Sequence, residues 1–375
     1  MPSSTSSSEM VDYRSVPQQP WKPLILIATG LVIVAIIGWE LLAREMHFIP
    51  GAYNDTGATW AAERRKLDVP NDIKVILAGS SRLLWAADLD IFENELGTRP
   101  LQLALPGTSP RLIVKSVVEA SDFAGLIVVG FTTRLFFDPT EGFAGGKSLE
   151  AYEWESPSSQ FGNLLYAGLE DHIAFIDSNF SLFYLLEIYT HLPVREGSKD
   201  LLASGGKLGN VYADRQTDMW LPVEDRDSYQ NQLTRNFWDE GLNEAPPSNE
   251  EIREKFDTSV KDFSAMLETL RARGGDMLFI RMPSDGNYLA RDLKDETRTR
   301  QWQPFIEAVG APNIHSHDYP QLSTDLDIPE WSHLSRASQD LWSHAAVPLM
   351  RAEFEQNRGQ PLQDYLDGVT EGNSK

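Results

Sequence analysis

The sequence predicts an α/β fold, a parallel sheet flanked by helices, with a large insertion and an N-terminal transmembrane helix. Three observations carry this reading. Short apolar runs, "KVILAG" from Lys74, "LQLAL" from Leu101, "GLIVVGF" from Gly125 and "DMLFI" from Asp276, alternate with segments of helical periodicity. The third run is apolar on both faces, as a central parallel strand must be. Ahead of them stands an uncharged stretch, "PLILIATGLVIVAIIGW", from Pro23 to Trp39.

The elements follow in order. After the first strand comes a helix that Asp88 can cap and Gly97 can end. After the second, a helix from about Arg111 carries Leu112, Val114, Val117 and Val118. Between about residues 138 and 247 the alternation stops. Gly, Pro and aromatic clusters such as "FAGGKSLEAYEWESPSSQFG" replace it, with one helix near "SLFYLLEIYTHL". This reads as an insertion over the sheet. Order returns at Ser248, which has capping-box spacing to Glu251. Ile252, Phe256, Val260, Phe263, Leu267 and Leu270 then share one apolar face, closed by Gly274 and Gly275. A final helix takes Ser335 as its N-cap and runs past Trp342. The expected division is a polar tail over 1–22, an anchor over 23–43, and a juxtamembrane linker over 44–71. The main domain over 72–357, with its insertion over about 138–247, and a loose polar tail over 358–375 follow.

Composition narrows the function. With 41% apolar residues, ten tryptophans and seventeen phenylalanines, the 375-residue chain can fill a large core. A net charge of −22 argues against nucleic acid, whose phosphates would be repelled at every contact. No cysteine is present, which removes disulfides, thiol nucleophiles and thiolate-bound metals.

The uncharged run, extended by Leu41, Leu42 and Ala43, is long enough to cross a bilayer at about 1.5 Å per residue. Trp21 and Trp39 suit its two interfaces. A buried core helix would keep a polar stripe, and a cleaved signal peptide would show a small-x-small site; neither is seen. Orientation stays open, because Arg14 and Lys22 precede the span while Arg44, Arg64, Arg65 and Lys66 follow it.

Ligands of open α/β sheets bind beyond the carboxyl ends of the strands. Three such ends carry unusual residues: "GSSR" at 79–82, "PGTSP" at 106–110 and "GFTTR" at 130–134. Near the C-terminus "PEWSHLS", Pro329 to Ser335, sets Glu330 three residues before His333. A serine at a strand-to-helix turn exposes its hydroxyl beside backbone N–H groups that can hold an oxyanion. It needs a histidine base, and the histidine needs a carboxylate to fix its tautomer.

In these residues the chain resembles the SGNH/GDSL hydrolases. Their first block looks like Gly79-Ser80-Ser81, which implies Ser81 as nucleophile and as one oxyanion donor. Their second block looks like Gly107, a further N–H donor, and their last looks like Glu330-Trp331-Ser332-His333. The resemblance implies a three-layer flavodoxin-like sheet and no cofactor. The third block departs, since "GFTTRLFF" has no asparagine and offers Thr132 to the oxyanion instead, beside Thr133 and Arg134. Glu330 stands where the family has Asp, so Asp325 and Asp327 compete for the orienting role. A closer likeness is to the membrane-anchored bacterial branch that adds or removes acetyl groups on exopolysaccharides, which "FIRMPSDG", Phe279 to Gly286, also resembles. That branch implies a single-pass inner-membrane protein with its domain in the periplasm or outside, an acylated glycan as substrate, and a membrane acyltransferase as partner. Arg82, Arg134 and Arg281 are candidates to bind that substrate.

Plainer readings stand beside these. "GSSR" suits a helix cap, Gly107 an ordinary turn, and His333 alone a structural role. "HSHD", His315 to Asp318, has the His-x-His spacing of a metal site but no further ligand at recognisable spacing. The aromatic residues of the insertion suit core packing or stacking on sugar rings. A degenerate member that binds glycan or scaffolds an envelope complex is the non-enzymatic alternative.

Overall fold

The computed structural model describes residues 19–138, 140–190, 206–243 and 249–372. In chain order the helices are α1 (Trp21–Glu45), α2 (Gly57–Arg64), α3 (Ser81–Ala86), α4 (Leu89–Leu96), α5 (Pro110–Glu119), α6 (Gly142–Glu153), α7 (Pro157–Glu170) and α8 (Leu182–Thr190). They continue with α9 (Leu221–Glu224), α10 (Tyr229–Leu242), α11 (Asn249–Ala272), α12 (Gly286–Lys294), α13 (Gln303–Val309), α14 (Arg336–Arg358) and α15 (Leu362–Gly372). The strands are β1 (Val75–Ala78), β2 (Leu101–Gln102), β3 (Leu126–Phe131), β4 (Gly209–Val211), β5 (Thr217–Met219), β6 (Asp276–Arg281) and β7 (Asn313–His315).

Five strands form one parallel sheet in the order β2-β1-β3-β6-β7, flanked by helices. Side chains of a strand alternate between faces, and here both faces are apolar. Val75, Leu77, Val128, Leu278 and Ile280 pack with Trp85, Phe92, Trp342 and Met350 of α3, α4 and α14. Ile76, Ala78, Ile127, Val129 and Phe279 pack with Val114, Phe263, Leu267 and Phe305 of α5, α11 and α13. The caps fall where expected: Asp88 accepts from Ile91 N–H, Gly97 closes α4 in the left-handed region, and the Ser335 hydroxyl accepts from Ser338 N–H.

Several expectations need correction. Within the expected juxtamembrane linker over 44–71, α2 buries Trp60 and Ala61 in the core and Arg64 against α5, where Arg64 Nη2 donates to the carbonyls of Ser116 and Ala120. The C-terminal stretch is not loose up to Gly372, because α15 buries Leu362 and Leu366 on one face. The insertion holds α6, α7, α9, α10 and the antiparallel β4–β5 hairpin besides the expected α8. That hairpin is tied to the sheet edge by Arg215, which pairs with Asp55 at 2.9 Å and donates to the Ala104 carbonyl. The Ser248 cap and most of the N-terminal tail lie outside the described residues.

Phe136 fastens the loop after β3. It is fully buried, stacks on Phe131 and Phe263 at 4.3 and 5.0 Å, and its carbonyl accepts from the Ser109 hydroxyl. Phe136→Ala is expected to cost about 3–5 kcal/mol. Urea unfolding of the detergent-solubilised chain measures it, and a loss under about 1 kcal/mol contradicts so tight a packing.

Candidate active site

The site is assembled at the carboxyl edge of three neighbouring strands. Leu105 N–H donates to the Gly79 carbonyl, so the chains after β1 and β2 leave the sheet side by side, with Ser81 and Gly107 two residues further on. Ala78 is in register with Val129, which brings Gly79 against Gly130 and sets Thr132 at the same level. Both glycines are required by close approach: a Cβ on either would lie under 3.0 Å from Leu83 Cβ. Their absence of a side chain lets the first turn of α3 drop onto the sheet.

Ser80 holds the N-cap position of α3 but does not cap it. Its hydroxyl instead shares a 2.5 Å hydrogen bond with Thr132 Oγ1, both side chains being buried. Ser81 is the first helical residue, half-buried, and its hydroxyl has no hydrogen-bond partner among the described residues. The first helical bond runs from Leu83 N–H to the Ser80 carbonyl, so the N–H of Ser81 lies ahead of the ladder and stays available. Gly107 sits in the left-handed region, φ 60°, in a turn just beyond β2.

Across from α3 lies the Glu330–His333 turn. Trp331 adopts φ 76°, a costly conformation for a bulky residue, and this reversal folds the Glu330 carboxylate back onto its own turn. Oε1 accepts from Ser332 N–H at 3.1 Å, His333 N–H at 2.5 Å and His333 Nδ1 at 3.1 Å, while Oε2 accepts from Trp238 Nε1. The extra methylene of Glu over Asp is used in this reach. Burial alone would push the Glu330 carboxyl up; the adjacent His333 and the donated hydrogen bonds outweigh it and hold it below the ordinary range. The hydrogen-bond network assigns the imidazole proton to Nδ1, leaving a lone pair on Nε2. Nε2 is buried and has no hydrogen-bond partner among the described residues.

The two halves touch. Trp85, one turn beyond Ser81 on the same face of α3, packs on His333 with ring centroids 4.9 Å apart. Arg82 Nε donates to Ser332 Oγ at 3.2 Å, and its guanidinium lies 4.7 Å over the Tyr288 ring. Among the described residues, Arg82 Nη1, Trp85 Nε1 and Thr133 Oγ1 are further buried polar atoms without a hydrogen-bond partner. Ser81 and His333 Nε2 are not hydrogen-bonded to each other, an arrangement common in sites without substrate.

The competing candidates fall elsewhere. Asp325 is exposed, and Asp327 is exposed and paired with Arg226 at 2.7 Å, so Glu330 alone contacts the imidazole. Arg281, expected as a substrate-binding candidate, is 3% exposed, pairs with Asp292 and donates to the Met282 carbonyl. Burial lowers its pKa to about 10. Arg134 is exposed and donates to the Gly241 carbonyl at 2.9 Å. His315 is held at about 3 by burial, with Arg281, Arg298 and His317 adding to it, so it stays neutral. Among the described residues no group of three His, Cys, Asp or Glu side chains could hold a metal ion.

Sequence reasoning missed Trp238 and Tyr288. Trp238 comes from α10 in the insertion, donates to Glu330 and packs 5.9 Å from His333. The one signal for it was the aromatic density of the insertion, which does not say which ring reaches the site. "FIRMPSDG" also gains a purpose: Asp285 N–H donates to the Trp331 carbonyl, and Gly286 leaves room for the Trp331 ring. No family model matches the chain, and no curated protein matches it.

Proposed function

We propose that the chain is a membrane-anchored, envelope-facing serine esterase or O-acyltransferase acting on acyl esters, foremost acetyl, of an extracellular glycan. The observation that carries this reading is His333, whose Nδ1 is held by a buried carboxylate while its buried Nε2 has no partner among the described residues, and whose ring packs on Trp85 of α3. Such an imidazole is prepared to take one proton. Ser81 Oγ attacks the ester carbonyl as its proton passes to Nε2, and the N–H groups of Ser81 and Gly107 receive the oxyanion. The alkoxide then leaves with the proton from Nε2, and the acyl-enzyme passes its acyl group to water or to a sugar hydroxyl. A membrane acyltransferase supplying acyl groups is the partner that fits the second outcome.

The sheet order supports a three-layer, flavodoxin-like assignment, in which ligands sit at the carboxyl edge where Ser81 lies. The apolar α1 supports a single-pass anchor; the inner membrane, and a domain in the periplasm or outside, belong to this proposal through the family resemblance. One observation favours the non-enzymatic scaffold instead: the Thr132 hydroxyl that stands for the third oxyanion donor is already engaged with Ser80. A fluorophosphonate probe separates the readings. Ser81→Ala is expected to abolish labelling of the full chain, whereas Ser80→Ala leaves it measurable. The reverse pattern moves the nucleophile by one residue, and an unlabelled wild type supports the scaffold.

A further inference from the structure

We propose that α7 and the start of α8 form a second membrane contact, laid into the interface of the same bilayer that α1 enters. The inference rests on α1 being a membrane span.

Two helices next to the end of α1 present apolar faces to solvent. On α7, Phe161, Leu164, Leu165 and Leu169 are 61, 70, 55 and 49% exposed. Their spacing of three and four residues puts them on one stripe. No charged residue occurs from Pro157 to Leu169. On α8, Leu182 and Phe183 are 62 and 70% exposed. Trp154, just ahead of α7, is 74% exposed. An apolar surface of this extent in water marks a site that something covers.

The joint to α1 identifies what covers it. Glu40 in the last turns of α1 accepts from the N–H groups of Ala174 and Phe175, in the short link between α7 and α8. Trp39, at the end of the uncharged run, packs on Phe180 at 5.0 Å, and Phe48 packs on the same ring at 5.1 Å. Gly51 N–H donates to the Glu170 carbonyl at the end of α7. A tryptophan closing a membrane span sits at headgroup level. Leu182 is two residues from Phe180, a reach of at most about 7 Å, so the start of α8 is at that level too. The surface is therefore continuous with the bilayer. Neither Lys nor Arg occurs from Pro157 to Thr190, so apolar insertion and not attraction to anionic lipid supplies the contact. The consequence is positional: a second contact stops the domain from swivelling on α1 and fixes the height of Ser81 above the membrane.

The native chain has no cysteine, so single cysteines report cleanly. Leu164→Cys, Phe183→Cys, Val32→Cys and Glu268→Cys, each labelled with an environment-sensitive fluorophore, are reconstituted as full chains in phosphatidylcholine nanodiscs. The discs carry lipid quenchers at shallow or deep acyl positions. Glu268 is exposed on α11, across the sheet from α1. Labels at 164 and 183 are expected to lose emission with the shallow quencher, the label at 32 with the deep one, and the label at 268 with neither. Quenching at 32 but not at 164 or 183 overturns the proposal while leaving the span intact. Absence of quenching at 32 removes the span itself. Shielding at 164 and 183 that grows with protein concentration and ignores lipid quenchers overturns the proposal in favour of a second copy.

Discussion

His333→Ala in the full-length, detergent-solubilised chain is expected to lower kcat on p-nitrophenyl acetate by on the order of 10²–10⁴. Among the described residues His333 Nε2 is a buried nitrogen with a lone pair and no hydrogen-bond partner, so it is the base this reading assigns to Ser81. Trp85 and Trp238 flank the ring but are donors without a basic lone pair. Removing a side chain that is 1% exposed also leaves a cavity, so the unfolding midpoint is measured on the same preparation. Loss of turnover with a folded protein supports the assignment. Wild-type turnover by a folded His333→Ala removes the hydrolase reading, because a serine at pH 7 without a base is too weak a nucleophile.

How much of this was legible depends on how local each signal is. The runs at β1, β3 and β6 are nearly continuous apolar records because those strands are buried on both faces, while the edge strand β2 kept its signal despite Gln102. β7 left none: of Asn313, Ile314 and His315 only Ile314 is aliphatic, and pairing with β6 makes it a strand. α2 hid in a charge-rich stretch, since the burial of Arg64 depends on acceptors supplied by α5 and the turn after it. α15 hid likewise, its Leu362 and Leu366 diluted by acidic neighbours. The candidate residues Ser81, Gly107, Glu330 and His333 could be proposed from sequence because they lie just past strand ends or in the loop ahead of the last helix. Trp238 could not, because its contact with Glu330 spans 92 positions and depends on how the insertion folds over the sheet. The choice among Glu330, Asp325 and Asp327 likewise needed the left-handed turn at Trp331, which no composition or spacing announces.

Glu330→Gln is expected to lower kcat by on the order of 10³–10⁴ by misassigning the proton of His333. The carboxylate accepts from four donors: two backbone N–H groups, His333 Nδ1 and Trp238 Nε1. A carboxamide has one acceptor oxygen and one NH₂. With its oxygen toward His333, the NH₂ meets the indole N–H of Trp238, donor against donor. Flipped, the NH₂ donates to Nδ1, drives the ring proton to Nε2 and removes the base. Asp325→Asn and Asp327→Asn, at exposed positions away from the imidazole, are expected to leave kcat unchanged; a drop in either that matches Glu330→Gln shows the orienting residue to be misassigned. Stability adds a pH signature. The Glu330 pKa is lower folded than unfolded, so its contribution is fully present above the ordinary carboxylate value, roughly pH 4.3, and is lost as pH falls through the folded value. The stability gap between wild type and Glu330→Gln should therefore be widest near neutral pH and narrow in acid. A gap that widens below pH 4 in urea unfolding at several pH values would mean that the buried carboxyl is protonated in the native protein, and that His333 has no anion to hold it.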